Sequence, residues 1–147
     1  MDYWNKNFTS VASVDNTITI KTIYDPSVSG FALPRTAAFT NFTLSGNGTA
    51  NSGEFNVSGS FTKGWNFYTN GWRTDNIVFF HALGIRDTYS ARSRMGALVF
   101  VSEHGRYSTS GANSSTLCYY FIFNSGGVYP HNLEYRSGGL VVRPSLE

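Results

Sequence analysis

The sequence predicts an α+β fold that is β-rich, with one or two short helices and long loops. Three observations point there. Runs of aromatic and β-branched residues recur along the chain, above all LCYYFIF at 117–123. Gly, Ser, Thr and Asn are abundant between those runs, which favours short strands and many turns. One stretch, PRTAAFTNF at 34–42, reads as a short helix, with Pro34 near its start where a missing N–H is tolerated. At 147 residues, with 14% charged and 16% aromatic, the chain suits a single folded domain spanning 1–147. It is neither a disordered segment nor a charged helical array.

The elements follow in order. Residues 1–16 are polar, interrupted by Tyr3, Trp4 and Phe8. TITIKTIY at 17–24 alternates strictly and predicts a half-buried strand. DPSVSG at 25–30 is a turn, and the Gly/Ser/Asn-rich residues 44–59 predict an exposed loop. Aromatics mix with glycines over 59–72, and IVFFHALG at 77–84 predicts an apolar strand. RDTYSARSR at 86–94 is a polar loop. ALVFV at 97–101 and RYSTS at 106–110 predict strands around SEHG. After LCYYFIF comes a turn, NSGG at 124–127; VYP restarts the chain and GGLVVRP at 138–144 closes it as a last strand. No linker or internal repeat divides the chain.

Composition removes several functional classes. A net charge of +2 is too small to argue nucleic-acid binding. No apolar run approaches the roughly 20 residues that a spanning helix needs, so no membrane insertion is expected. Met1 is followed by no basic start and apolar run, so the chain is expected to be the C-terminal part of a longer, exported parent. Cys118 is the sole cysteine, which excludes an intramolecular disulfide and a multi-cysteine zinc site. Its apolar strand predicts a small buried hydrophobe. His81, His104 and His131 are scattered. His81 lies in an apolar strand and predicts a satisfied core residue, whereas His104 and His131 lie beside turns and predict exposed groups. Asp75, Asp87, Glu103 and Glu134 predict solvated carboxylates. With no nucleophile elbow and no phosphate-cradling glycine loop, neither catalysis nor a metal or other cofactor is expected.

Period-two alternation puts Tyr119, Phe121 and Phe123 on one face of the aromatic strand and Cys118, Tyr120 and Ile122 on the other. With the Phe face as core, Tyr120 and Ile122 either project outward beside Tyr129, His131, Leu133 and Tyr135 or lie under a second packed layer. An outward set would suit binding, because large rigid side chains bury area at low entropic cost.

Several segments, in order, resemble one family. IYDPS…GFALP at 23–34 is similar to its YDPCPxGfxvP segment, and GWNFYT at 64–69 follows. FFHALGIRD at 79–87 is similar to FFPALGyRd; GAL at 96–98 and YYFIFNSGGV at 119–128 come next. NLEYRSGGLVVRP at 132–144 is similar to NRSyGFSVRPV. These resemble bacterial "major paralogous domain" surface proteins of C-type-lectin-like fold. They are most similar to the branch serving as variable proteins of diversity-generating retroelements in gut bacteria and their phages. Departures are Ser27 where the family has Cys, GRYSTS at 105–110 where it has GYYWSS, and LVVR at 140–143 for FSVR. All but Ser27 fall mostly at the family's variable positions.

The resemblance implies a C-type-lectin-like domain in which 18–24 pairs with 139–143, without the calcium-binding lectin signatures. It also implies adenine-directed diversification of template codons, which never yields Lys, Gln, Glu, Met or Trp. From Arg73 onward the chain has no Lys, Gln or Trp. The implied variable, ligand-contacting positions are Tyr89, Arg92, Arg94, Phe100, Ser102, His104, Arg106, Ser108, Tyr120, Ile122, Tyr129, His131, Leu133 and Tyr135. Arg86, Gly105, Phe123, Gly126, Arg136, Gly139 and Arg143 are the implied frame, with its arginines tying loops to carbonyls or carboxylates, and Met95, Glu103 and Glu134 are expected to stay fixed. The implied function is a receptor-type module on a bacterial surface or phage particle, binding a protein or surface glycan on another cell or host. Rival classes are a structural adhesin or fibre-tip domain and a relative of formylglycine-generating enzymes. Those enzymes share the fold but work through a cysteine pair, where this chain has Cys118 alone.

Overall fold

A computed structural model describes residues 19–87 and 96–146. Ten strands form among them: β1 (Phe31–Ala32), β2 (Val57–Ser58), β3 (Gly64–Tyr68), β4 (Ile77–His81), β5 (Ile85–Arg86), β6 (Leu98–Val99), β7 (Gly105–Ala112), β8 (Leu117–Asn124), β9 (Gly127–Tyr135) and β10 (Ser145–Leu146). They build two three-stranded sheets, β2-β3-β4 and β7-β8-β9, and two short ribbons, β1-β10 and β5-β6. The molecule is β-rich, as predicted. Its helical segments among the described residues, Thr36–Phe42 and Ser52–Glu54, are 3-10 turns rather than α-helix.

The aromatic run becomes β8, the central strand of its sheet. Phe121 and Phe123 point from it into the core, where they meet Phe67 of β3, Phe80 of β4, and Phe39 and Phe42 of the Thr36–Phe42 helix. Phe42 stacks on Phe67 with ring centroids 4.3 Å apart, and Phe39 stacks on Phe121 at 4.7 Å. Each such pair adds about 0.5–1.5 kcal/mol beyond the area it buries. Trp65 of β3 donates its indole N–H to the carbonyl of Asn124 at 2.9 Å, tying the two sheets together. Gly105 is required by this packing, because a Cβ there would lie 2.1 Å from the Phe123 ring.

Arg86, Arg136 and Arg143 each donate to a main-chain carbonyl. Arg86 donates to the Gly96 carbonyl at 2.6 Å and Arg136 to that of Leu117 at 3.4 Å. Arg143 donates to the Phe79 carbonyl at 2.7 Å while its guanidinium lies 4.1 Å over the Phe80 ring.

Several expectations need correction. Residues 19–24 form a single bridge at Lys21 rather than a strand; residues 17 and 18 lie outside the described residues. Side chains organise this stretch instead. Lys21 donates to the carbonyls of Ser27, Val28 and Phe31, and the buried Asp25 carboxylate accepts from the N–H groups of Ser27 and Leu33. The expected pairing of 18–24 with 139–143 gives way to other partners. Gly139 bridges Arg86, Val141 bridges Tyr107 in parallel, and Phe31–Ala32 takes Ser145–Leu146. Within 44–59, read as an exposed loop, Phe55 and Asn56 are fully buried. The Asn56 carboxamide donates to the carbonyls of Asn41, Tyr68 and Gly71 and accepts from the Arg73 N–H, so one polar residue anchors three chain segments. His81, read as a core residue, is exposed at the end of β4.

Candidate functional site

Opposed residues of antiparallel strands share a face. On β7 and β8, Arg106 lies opposite Ile122 and Ser108 opposite Tyr120; on β8 and β9, Cys118 lies opposite Glu134, Tyr120 opposite Asn132 and Ile122 opposite Tyr129. The face of this sheet turned away from the phenylalanine core therefore carries Arg106, Ser108, Cys118, Tyr120, Ile122, Tyr129, Asn132 and Glu134. Between Tyr120 and Ile122 the register slips, so Pro130 and His131 together face Phe121. This is a β-bulge, one of the few places where a strand accepts proline. The Tyr129 ring fits against two glycines; a Cβ on Gly48 or Gly127 would come within 2.5 or 2.7 Å of it.

This outer face is a second packed layer. Ser108, Tyr120 and Ile122 are only 2%, 4% and 8% exposed, so the alternative in which they project outward is not what forms. Arg106, on the same face, links this layer to the loop between β6 and β7. His104 stacks on Phe100 with centroids 4.7 Å apart and planes 8° from parallel. The Arg106 guanidinium lies 5.4 Å from the Phe100 centroid and 5.8 Å from that of Tyr120. Its Nη1 donates to Glu134 Oε2 at 2.9 Å, while Glu134 Oε1 accepts from the Tyr135 N–H at 3.0 Å. Glu134, expected to be a solvated carboxylate, is thus half-buried and fully engaged.

The loop carrying Phe100 and His104 is tightly bonded and locally strained. The Phe100 carbonyl accepts from the N–H groups of Glu103 and His104, Ser102 N–H donates to Ala82, and Gly84 N–H donates to the His104 carbonyl. Phe100 and Ser102 have φ of 59° and 68°, the left-handed region that costs non-glycine residues about 1–2 kcal/mol each. That turn also ends the predicted 97–101 strand after Val99.

Burial sets the protonation states. It lowers the pKa of His104, with help from the neighbouring Arg106 charge and against Glu103. Burial raises the Tyr120 pKa, opposed by Arg106, so the phenol stays neutral at ordinary pH. His131 is also lowered by burial. The Nδ1 atoms of His104 and His131 and the Nε of Arg106 are buried without a hydrogen-bond partner. Neither histidine is therefore the exposed group the sequence predicted.

Of the predicted contact positions, Phe100, His104, Arg106 and Tyr120 come together in one cluster, with Ser102 half-buried on the same loop. Leu133 and Tyr135, 40% and 50% exposed, pair with Tyr119 and Leu117 and so belong to the opposite face of the pleat. Tyr89, Arg92 and Arg94 lie outside the described residues. Sequence reasoning missed two features: the part Glu134 plays in holding Arg106, visible only once β9 is registered on β8, and an exposed aliphatic rim. That rim comprises Leu83 and Val101, which are 44% and 46% exposed and flank the bond from Ser102 to Ala82. No group of His, Cys, Asp and Glu among the described residues is arranged to hold a metal ion. No helix among them is long and apolar enough to cross a membrane. Cys118 is buried, as predicted, with its thiol 3.7 Å from the Glu134 carbonyl. No family model, curated protein or solved structure matches this chain.

Proposed function

We propose that this chain is a C-type-lectin-like ligand-binding module of the kind diversified by retroelements. Its specificity would reside in replaceable side chains on a fixed backbone, and its ligand would be a protein or surface glycan on another cell or host. The observation that carries this is the gathering of the half-buried Phe100, His104 and Arg106 beside the outer face of a sheet whose inner face is locked by phenylalanines. Two further features support it. The bonds that fix the 100–104 loop are largely main-chain bonds, which survive exchange of the side chains. The frame arginines hold carbonyls rather than variable side chains. The half-buried Phe100, Ser102, His104 and Arg106, with the neighbouring aliphatic rim, form the contact surface. A displayed library randomised at Ser102, His104 and Arg106 tests the idea. Most clones should resist protease like the parent, and different clones should select different ligands. A library that mostly unfolds would show that these side chains serve the fold instead.

A further inference from the structure

We propose that the 100–104 loop is an acid-sensitive latch, closed while His104 is neutral and released from the outer face when His104 takes a proton. The inference concerns the loop itself and stands whatever the face binds. Three features of the geometry carry it. His104 stacks flat on Phe100, and its Nδ1 is buried with no acceptor in reach. As a neutral ring it can leave that nitrogen as an idle acceptor; protonated, it would bury an N–H carrying charge with nowhere to donate, which is far more costly. The same Phe100 ring already faces the Arg106 guanidinium, so the attraction that a cation finds over an aromatic face is taken, and a second cation would sit beside the first. The loop is also strained at Phe100 and Ser102, a cost that the closed form carries and opening relieves.

The charged surroundings agree. On the loop, Glu103 favours a protonated His104, but less than burial and Arg106 oppose it. On β9, Glu134 is engaged by Arg106 and by the Tyr135 N–H. On β8, Tyr120 is neutral, its pKa raised by burial. Ala82, Leu83 and Gly84, which line the bonded side of the loop, carry no ionisable group. The closed loop thus holds His104 below its ordinary value of about 6.5, while the open loop restores that value. The closed form is fully favoured above the ordinary value and loses ground as pH falls below it. In the window between the two values the opening equilibrium rises roughly tenfold per pH unit.

Hydrogen exchange of the 98–106 segment, corrected for the chemical exchange rate, reads this directly. Between about pH 7.5 and about pH 5, opening of that segment should increase progressively, while the β3 and β8 amides keep their protection. His104→Phe retains the stack without the titration and should remove the pH response; His104→Gln, neutral at every pH, serves if the Phe variant does not fold. His131→Gln should leave the response intact. A wild-type segment indifferent to pH would overturn the latch. So would a response that persists in the His104 variants or vanishes in His131→Gln.

Discussion

Alanine at Tyr120 or Ile122 should destabilise the protein severely, although both positions belong to the set implied to contact ligand. Ile122 is 8% exposed and Tyr120 4%, so neither has water to fall back on. Removing the Ile122 side chain beyond Cβ deletes about three buried carbons, about 0.8 kcal/mol each, and leaves a cavity; the expected loss is about 2–5 kcal/mol. Tyr120→Ala should cost about 3–5 kcal/mol, partly because Arg106 loses one of the two rings it faces. With a urea slope of about 1.5 kcal/mol per molar, a loss of 3 kcal/mol lowers the unfolding midpoint by about 2 M. Leu133→Ala and Tyr135→Ala, at 40% and 50% exposure, are the internal controls and should cost about 0.5 kcal/mol. Urea unfolding followed by far-ultraviolet circular dichroism measures all four. Small and equal shifts would mean that Tyr120 and Ile122 are not covered and that the second layer does not exist.

Two further changes probe the backbone beneath the site. Ser102→Gly should stabilise by about 0.5–1 kcal/mol, because glycine accepts the left-handed φ of 68° and the relief exceeds its entropic cost; a lower melting temperature would contradict this. Gly105→Ala should destabilise by about 1–3 kcal/mol, because the added methyl meets the Phe123 ring at 2.1 Å within the packed core. An unchanged denaturation midpoint would refute the close approach of β7 to Phe123.

What could be read from the sequence was what local pattern encodes. The LCYYFIF run marks β8, and NSGG marks the turn at which Asn124 pairs with Gly127. Alternation identified Phe121 and Phe123 as one face, and the core uses that face. Alternation is silent, however, on whether the opposite face is also covered. That depends on tertiary contacts, such as the Arg106 guanidinium that lies near both the Tyr120 ring and the Phe100 ring of the strained turn at Phe100 and Ser102. No turn residue announces it, because the left-handed positions are held by Phe and Ser. The alternation at 17–24 yields only a bridge at Lys21 among the described residues, where Lys21 and Asp25 side chains also bond the 27–33 backbone. Asn56 escaped notice because a buried carboxamide looks like any other Asn in a Gly/Ser-rich stretch until the carbonyls it serves are known. The arginines were legible in kind, since planar forks suit carbonyl tethers, but which carbonyl each holds is a matter of tertiary contact.

The proposal that this is a diversified binding module is tested most directly by sequencing the DNA around the coding region. The account predicts a reverse-transcriptase gene and a near-copy of the 3′ coding segment. The two copies should differ at template adenines, with differences concentrated in the codons for Phe100, Ser102, His104, Arg106, His131, Leu133 and Tyr135. Codons for Gly105, Phe123, Arg136 and Arg143 should be identical between them. A locus with no second copy, or with differences scattered evenly through the frame codons, would contradict it.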